Sequence, residues 1–373
     1  SNMEATGQGS PKKPGCIRHG MDVVLDFIAG CVSPVIPVLL ASGLIAAVLS
    51  VCVNFFGMDT GSGTAVVLSA VKDAGFYFLP IFLGFSTGNK LGINGYLGAL
   101  LGGVLVYSTI NGAQGLSFLG LAIYPTTYNS TVIPVILGVL FEAAVYKLLD
   151  KVLPGTVKPF LLPLLTVLAA VPVTLLFLGP LGTVLSGWLT GGVMWVSDTF
   201  GAWAVGLYAM INPVCVMFGL DKAITPPILT SIAANGYETL FLPGSVASNT
   251  AVGGAALAVW FKSRNAKLKN TAGPAGTTAI LGITEPALFG VCVPYKRPLA
   301  AAMLGGGIGG LFGGFVQLKQ YAIITPGLCA LPGYIGPDGS LTNLLLALAT
   351  ICISVSSAFV LTLLFSAKQT YES

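Results

Sequence analysis

The sequence predicts an all-α polytopic membrane protein, and three features support this class. Of its 373 residues, 54% are hydrophobic and only 8% are charged, whereas soluble globular domains carry about 25% charged residues. The mean hydropathy is +0.88. The apolar residues form long runs separated by short basic clusters, which is typical of membrane spans and their cytoplasmic loops. We therefore attribute the net charge of +4 to membrane topology and not to nucleic-acid binding.

The chain begins with a stretch that predicts no membrane crossing. We interpret residues 1–20 as a tag and cytoplasmic linker, because Ser1-Asn2-Met3 is typical of an expression tag and residues 11–19 are too polar for a signal peptide. Residues 21–33 predict a short amphipathic helix at the interface, since their apolar side chains share one side of a helix while Asp22 and Asp26 lie elsewhere.

Nine apolar runs then approach the roughly 20 residues that a bilayer crossing needs. They cover 34–56, 74–89, 93–108, 131–149, 159–179, 181–197, 243–261, 298–318 and 342–366. Basic residues mark cytoplasmic loops, so Lys90 and the clusters at 147–158 and 262–269 are expected on the side of the N-terminus. This parity predicts that both termini, including a tail at 367–373, lie in the cytoplasm.

Two further apolar segments, 204–233 and 274–295, are interrupted by charged residues and prolines. Non-helical backbone is tolerated at membrane depth only where protein or water satisfies it, and paired broken helices mark the substrate site of transporters. Asp221 lies at the first break and Glu285 at the second. A buried ion pair that merely fixes a helix, such as Glu285 with Arg297, is the alternative interpretation.

Cysteine and histidine usage predicts no metal site and no cofactor. The seven cysteines are scattered without a CxxC pair, and their spacing is not that of metal ligands. His19 is the only histidine, and it lies in the basic N-terminal stretch. The run Gly305–Gly310 satisfies GxGxxG, but it lies inside an apolar span and predicts close helix contact and not nucleotide binding.

The string Gly-Ile-Thr-Glu-Pro-Ala-Leu-Phe-Gly at 282–290 resembles the signature of the EIIC membrane components of bacterial phosphoenolpyruvate-dependent phosphotransferase systems (PTS). The resemblance is to their glucose superfamily, which includes glucoside, sucrose and maltose carriers. Residues 28–37 and 75–86 resemble the starts of that family's first and second helices. The likeness extends over about 20–366.

The resemblance implies a homodimer in the bacterial cytoplasmic (inner) membrane, with about ten transmembrane helices and two re-entrant hairpins in each subunit. It implies an N-terminal scaffold and dimerisation part over 34–180 and a C-terminal sugar-binding transport part over 181–366. The hairpins are then expected near 211–233 and 274–295.

The resemblance also implies a sugar permease that acts as a phosphotransferase together with a cytoplasmic EIIB domain. Such a carrier imports a glucoside, disaccharide or related hexose derivative and phosphorylates it from the EIIB phosphocysteine, with EIIA and HPr upstream. The chain has no EIIB-like cysteine motif, so a phosphorylated EIIB partner is expected. Intramembrane carboxylates also relay protons and sodium, so an ion-coupled sugar symporter stays open, and the sequence does not name the sugar.

The candidate site residues follow from the resemblance, from the breaks and from the chemistry. Glu285 matches the family's sugar-binding glutamate, Thr284 and Gly282 shape its hairpin tip, and Asp221 stands where the family has a histidine. Phosphoryl transfer to a sugar hydroxyl needs orientation, a proton acceptor and positive charge. The predicted catalytic residues are Glu285 and Asp221. The further predicted sugar-binding residues are Lys222, Asn212, Thr225, Asn249 and Phe218, the phosphate-facing residues are Lys296 and Arg297, and Trp203 and Tyr208 are aromatic candidates.

Overall fold

The fold is helical almost throughout, as predicted. A computed structural model describes residues 16–217, 224–366 and 371. The α-helices are α1 Cys16–Val32, α2 Ile36–Phe55, α3 Gly63–Tyr77, α4 Leu79–Lys90, α5 Gly95–Val106, α6 Ile133–Val152, α7 Lys158–Val173, α8 Gly179–Phe200, α9 Ala202–Met217, α10 Thr225–Asn235, α11 Phe241–Lys262, α12 Ala266–Leu281, α13 Glu285–Ala287, α14 Val293–Tyr295, α15 Arg297–Phe315 and α16 Thr342–Phe365. A small antiparallel pair, β1 Ser117–Phe118 and β2 Leu121–Ala122, lies between α5 and α6.

Several helical stretches of the described residues are long and apolar enough to cross a membrane. They are Asp26–Phe55, Lys158–Phe200, Arg297–Phe315 and Thr342–Phe365. The pair α3 and α4, bent by 44°, makes a fifth if it forms one span. The polytopic class is thereby confirmed. Helices α5 and α9 have 12 and 16 residues, or about 18 and 24 Å, which is shorter than a hydrocarbon core of about 30 Å. The total of ten spans stays a prediction.

One continuous helical stretch, Lys158–Phe200, replaces the two separate helices predicted at 159–179 and 181–197. The predicted division into two helices was wrong, although it fell at Pro180, whose ring collides with the preceding turn of a regular α-helix. A π-helical turn over Thr174–Leu178 joins α7 to α8 just before this proline, and such a turn accommodates it without ending the helix. The 43 residues extend about 65 Å. The predicted boundary at 180 between the two parts lies inside this stretch.

The predicted amphipathic helix at 21–33 forms as the greater part of α1. A 3-10 turn over Ser33–Val35 leads from it into α2. The end of α1 packs on α4, since Cys31 is fully buried and a Cβ on Gly30 would lie 2.6 Å from the Lys90 side chain. Val23, nearer the start of α1, is 55% exposed.

Glycines let α15 approach two neighbouring helices closely. A Cβ on Gly310 would lie 2.7 Å from the Cβ of Ala209 on α9, and a Cβ on Gly309 would lie 1.7 Å from Oγ of Ser354 on α16. Only a residue without a Cβ fits at such separations. The interpretation of this glycine run as a helix-contact face is confirmed.

The chain between Lys262 and Arg297 leaves one end of α16 and returns to it. The Lys262 ammonium donates to the Ser366 carbonyl, and Arg297 Nη1 donates to the Phe365 carbonyl at 2.9 Å. Between these anchors α12 leads away, and α13, a π-helical turn over Leu288–Cys292 and α14 lead back. Residues 282–285 therefore lie at the far turn of this excursion.

Candidate functional site

The far turn at 282–285 lines a cavity of about 440 Å³, hereafter the Glu285 cavity. Its walls come from α2, α9, α10, α11 and the connection that follows α15. Of the sequence-predicted site residues, Asn212, Thr225, Asn249, Gly282, Thr284 and Glu285 line it together. These residues are up to 73 positions apart in the chain, so the fold brings the second predicted break together with described residues that flank the first.

Gly282 makes the turn that places Glu285. It follows α12 with φ +136°, a conformation that glycine adopts and other residues rarely do. A Cβ there would also lie 2.4 Å from the Thr325 side chain. Three residues later α13 starts at Glu285, and the Leu288 amide donates to the Thr284 carbonyl at 2.8 Å. The short helix thus begins with its carboxylate residue in the cavity wall.

The Glu285 side chain is exposed, and it takes part in no ion pair among the described residues. The Arg297 guanidinium, considered as its partner, instead donates to the Phe365 carbonyl. The alternative that these two residues form a structural ion pair is therefore wrong. A carboxylate in this position is available to accept hydrogen bonds from a ligand.

Asn249 on α11 connects two walls of the cavity. Its Nδ2 donates to the Pro326 carbonyl at 2.9 Å and to the Gly282 carbonyl at 3.4 Å. The side chain therefore holds the turn that precedes Glu285 against the connection after α15. Asn249 therefore positions the turn and also lines the cavity.

Three polar side chains form a hydrogen-bonded network in the cavity wall. The Tyr208 hydroxyl donates to Asn212 Oδ1 at 3.1 Å and lies 3.3 Å from Ser245 Oγ. Tyr208 and Asn212 are one helical turn apart on α9, so they face the same side, and Ser245 comes from α11. All three line the cavity. The network fixes the orientation of the Asn212 amide before any ligand arrives.

The remaining charged and aromatic predictions are either outside the described residues or away from the cavity. Phe218, Asp221 and Lys222 fall outside the described residues. Lys296 and Arg297 do not line the Glu285 cavity. They follow Glu285 by 11 and 12 positions of mainly helical chain, about 16 Å, at the end where the excursion returns to α16.

Of the two aromatic candidates only Tyr208 lines the cavity. Trp203 is 73% exposed. The sequence analysis missed Ser245 and the stretch Ile323–Pro326, which also line the cavity. Both are distant in the chain from the two predicted breaks, and no local sequence pattern indicates them.

The stretch Ile323–Pro326 is held in place through a buried glutamate that the sequence analysis also missed. Glu238 and Gln320 pair their backbones, with N to O distances of 2.9 and 3.0 Å. The Glu238 carboxylate accepts bonds of 2.7 Å from the amides of Leu240, Phe241 and Leu242 at the start of α11. Glu238 therefore joins α11 to the connection whose next residues form a cavity wall. We interpret it as a positioning residue.

Residues 29–306 match the sequence profile of the family "Phosphotransferase system, EIIC". The chain is 35% identical over 342 residues to the PTS system beta-glucoside-specific EIIBCA component of Bacillus subtilis, covering 90% of this chain and 55% of that protein. It is 32% identical to the arbutin-, cellobiose- and salicin-specific EIIBC component of Escherichia coli, covering 91% and 72%. It is 34% identical to the sucrose-specific EIIBC component of Salmonella typhimurium, covering 91% and 75%.

The fold is similar to that of ChbC, the IIC component of the N,N'-diacetylchitobiose-specific phosphotransferase system. The TM-score is 0.58 at 13% identity, and the likeness covers 96% of this chain and 99% of that one. Identity this low supports the fold alone. The chain spans about half the length of the Bacillus relative, whose name indicates additional components. The profile match and the relatives together show that this chain is a member of the PTS EIIC family of membrane permease components.

Proposed function

We propose that this chain imports a neutral glucoside or disaccharide and presents it for phosphorylation by a phosphocysteine EIIB domain. The observation that carries the proposal is the convergence of Glu285, Asn212 and Asn249 on one cavity of about 440 Å³. This volume lies in the range of small-ligand sites, roughly 300–1,000 Å³. Carboxylate, amide and hydroxyl groups arranged around it suit a ligand with several hydroxyls. The names of the relatives favour β-glucosides and sucrose as substrates.

The proposed chemistry is transfer of a phosphoryl group from sulfur to oxygen. A sugar hydroxyl oxygen attacks the phosphorus, the P–S bond breaks, and the cysteine leaves as thiolate. Glu285 orients that hydroxyl and accepts its proton. Asp221 is proposed to share this role, and Lys222, Lys296 and Arg297 to offset the phosphoryl charge at the cytoplasmic mouth. Phe218 and Thr225 are proposed as further sugar contacts.

The proposed topology follows from the basic residues. With the ends of α6 and α11 on the cytoplasmic side, both termini are cytoplasmic and the excursion 262–297 opens there. The two hairpins, the ten-span count, the scaffold part over 34–180, the transport part over 181–366 and the homodimer are parts of the same proposal. Relatives named EIIBC and EIIBCA support an EIIB partner, with EIIA and HPr upstream. The family membership gives the ion-coupled symporter no support.

The test is uptake of labelled salicin, cellobiose and sucrose into membrane vesicles, with and without phosphorylated EIIB, followed by chromatography of the internal product. We expect sugar phosphate only with the partner. Unmodified sugar accumulating without it, and halted by collapse of the ion gradient, would overturn the proposal.

Two variants locate the chemistry in the same assay. Glu285→Gln is expected to abolish product while the protein stays folded in the membrane. Asp221→Asn tests the first break, and unchanged phosphorylation in that variant would remove Asp221 from the proposed mechanism.

A further inference from the structure

A second cavity, of about 810 Å³, also borders α10. Thr225 and Ile228 of α10 line the Glu285 cavity, whereas Thr230 and Ala233 of the same helix line the second one. The two cavities thus border successive parts of one helix of 11 residues.

The lining of the second cavity is rich in hydroxyl groups. They come from Thr127, Ser130, Thr131, Thr183, Ser186, Thr190 and Thr230. Asn129 adds an amide and Phe76 an aromatic ring, and the described residues around it include no Asp, Glu, Lys or Arg. Such a lining offers donors and acceptors to a neutral polyhydroxyl ligand and offers no counter-charge to an ion.

Three of these hydroxyls form a stripe on α8. Thr183, Ser186 and Thr190 are spaced by three and four residues, which places them on one side of the helix. Thr183 Oγ1 donates back to the Gly179 carbonyl at 3.1 Å, a common arrangement for a hydroxyl in a helix. Thr190 Oγ1, in contrast, is buried and has no partner among the described residues. Such an unpaired buried hydroxyl is unfavourable.

The second cavity lies on the membrane side opposite to the basic clusters. Its residues 127–132 immediately precede α6. The 20 residues of α6 extend about 30 Å and end near Lys147 and Lys151, which mark the cytoplasmic side. The loop that lines the cavity therefore faces the exterior, and we call this space the outer cavity.

We propose that the outer cavity is a second binding site for the neutral sugar, occupied from the exterior before the sugar reaches the Glu285 cavity. The inference rests on the proposed function, because it identifies the ligand as the transported glycoside. The outer cavity has nearly twice the volume of the Glu285 cavity, so the sugar there keeps some of its water and binds more weakly. The site acts by raising the local sugar concentration near α10.

Protection from labelling tests this site in intact cells. Ser186→Cys is made in a Cys329→Ser chain, which removes an exposed native thiol, and labelling of that parent chain is subtracted. The reagent is a membrane-impermeant maleimide, with salicin or sucrose as the probe and glycine betaine as the osmotic control. We expect millimolar sugar to slow labelling at least threefold. Ser117→Cys, on the exposed strand of the same connection, is the matched control and is expected to be labelled at an unchanged rate.

The outcomes separate this inference from the proposed function. Protection that persists in a Glu285→Gln chain supports an independent outer site, whereas protection that disappears there shows that labelling only reports the Glu285 cavity and overturns the inference. If neither Ser186→Cys nor Thr183→Cys is labelled, the exterior location of the cavity is overturned. Protection without any sugar phosphate in vesicles would refute the proposed function and leave the outer site standing.

A second measurement addresses the hydroxyl stripe directly. Replacing Ser186 by Ala and Thr190 by Val together removes two hydroxyls with little change of volume. We expect a five- to tenfold higher half-saturating sugar concentration for uptake from the exterior and an unchanged maximal rate. An unchanged half-saturating concentration would overturn the role of the stripe.

Discussion

Replacing Gly282 by alanine tests whether the turn at the end of α12 sets the position of Glu285. The φ of +136° is a region where a residue with a side chain costs about 1–3 kcal/mol. The added Cβ would also lie 2.4 Å from Thr325 Cγ2 and 3.1 Å from the Pro326 carbonyl oxygen, so the turn must shift. If the turn moves to relieve a strain of this size, the population of the conformation that supports phosphorylation falls about 5- to 150-fold.

The assay is sugar phosphorylation in vesicles with phosphorylated EIIB, measured as kcat/KM, with thermal stability measured in parallel. Gly290→Ala is the matched control, because a Cβ there meets its nearest neighbour, the Thr271 side chain, at an ordinary 3.8 Å. We expect Gly282→Ala to lower kcat/KM at least fivefold and Gly290→Ala to have little effect. Adding Thr325→Ala should recover part of the loss, since it removes the steric component and leaves the backbone strain. Activity like that of the unaltered chain in Gly282→Ala, or an equal loss in both variants, would refute the reasoning.

The other predictions concern side chains in the walls of the same cavity. Tyr208→Phe removes the hydroxyl that contacts Asn212 and Ser245. Because a lost hydrogen bond costs roughly 1 kcal/mol, KM should rise about fivefold while membrane insertion is unchanged. An unaltered KM would contradict a role for the network. Asn249→Leu keeps a similar volume but removes the donor to the Pro326 carbonyl, so both kcat/KM and thermal stability should fall, whereas Asn249→Gln should recover part of each; equal losses in the two variants would contradict the positioning role. Glu285→Asp should retain weak activity and Glu285→Gln none, and the reverse order would show that charge is not required.

Predicting the fold from the sequence succeeded where composition and local pattern were sufficient. The helical class and the contact face of Gly309 and Gly310 follow from properties that act over one or two turns. The separate helices at 159–179 and 181–197 were wrongly predicted because the apolar pattern does not foresee the π-helical turn that accommodates Pro180.

Part of the candidate site was also accessible from the sequence. Glu285 and its neighbours were found because a carboxylate beside a proline in an apolar segment is costly without a purpose. Ser245, Ile323–Pro326 and Glu238 were missed because their roles depend on contacts between segments distant in the chain.

The sequence by itself determined that this chain belongs to a class of membrane proteins, and it predicted a site at two interrupted segments with Glu285 as a principal polar group. These conclusions rest on the cost of placing charge and irregular backbone in hydrocarbon, which any single segment reveals. Only the tertiary structure decided which groups surround Glu285, that Arg297 does not pair with it, and that a second cavity with several hydroxyl residues borders α10. The physical reason is that a cavity is defined by what several helices leave unfilled between them, and no one segment specifies that space.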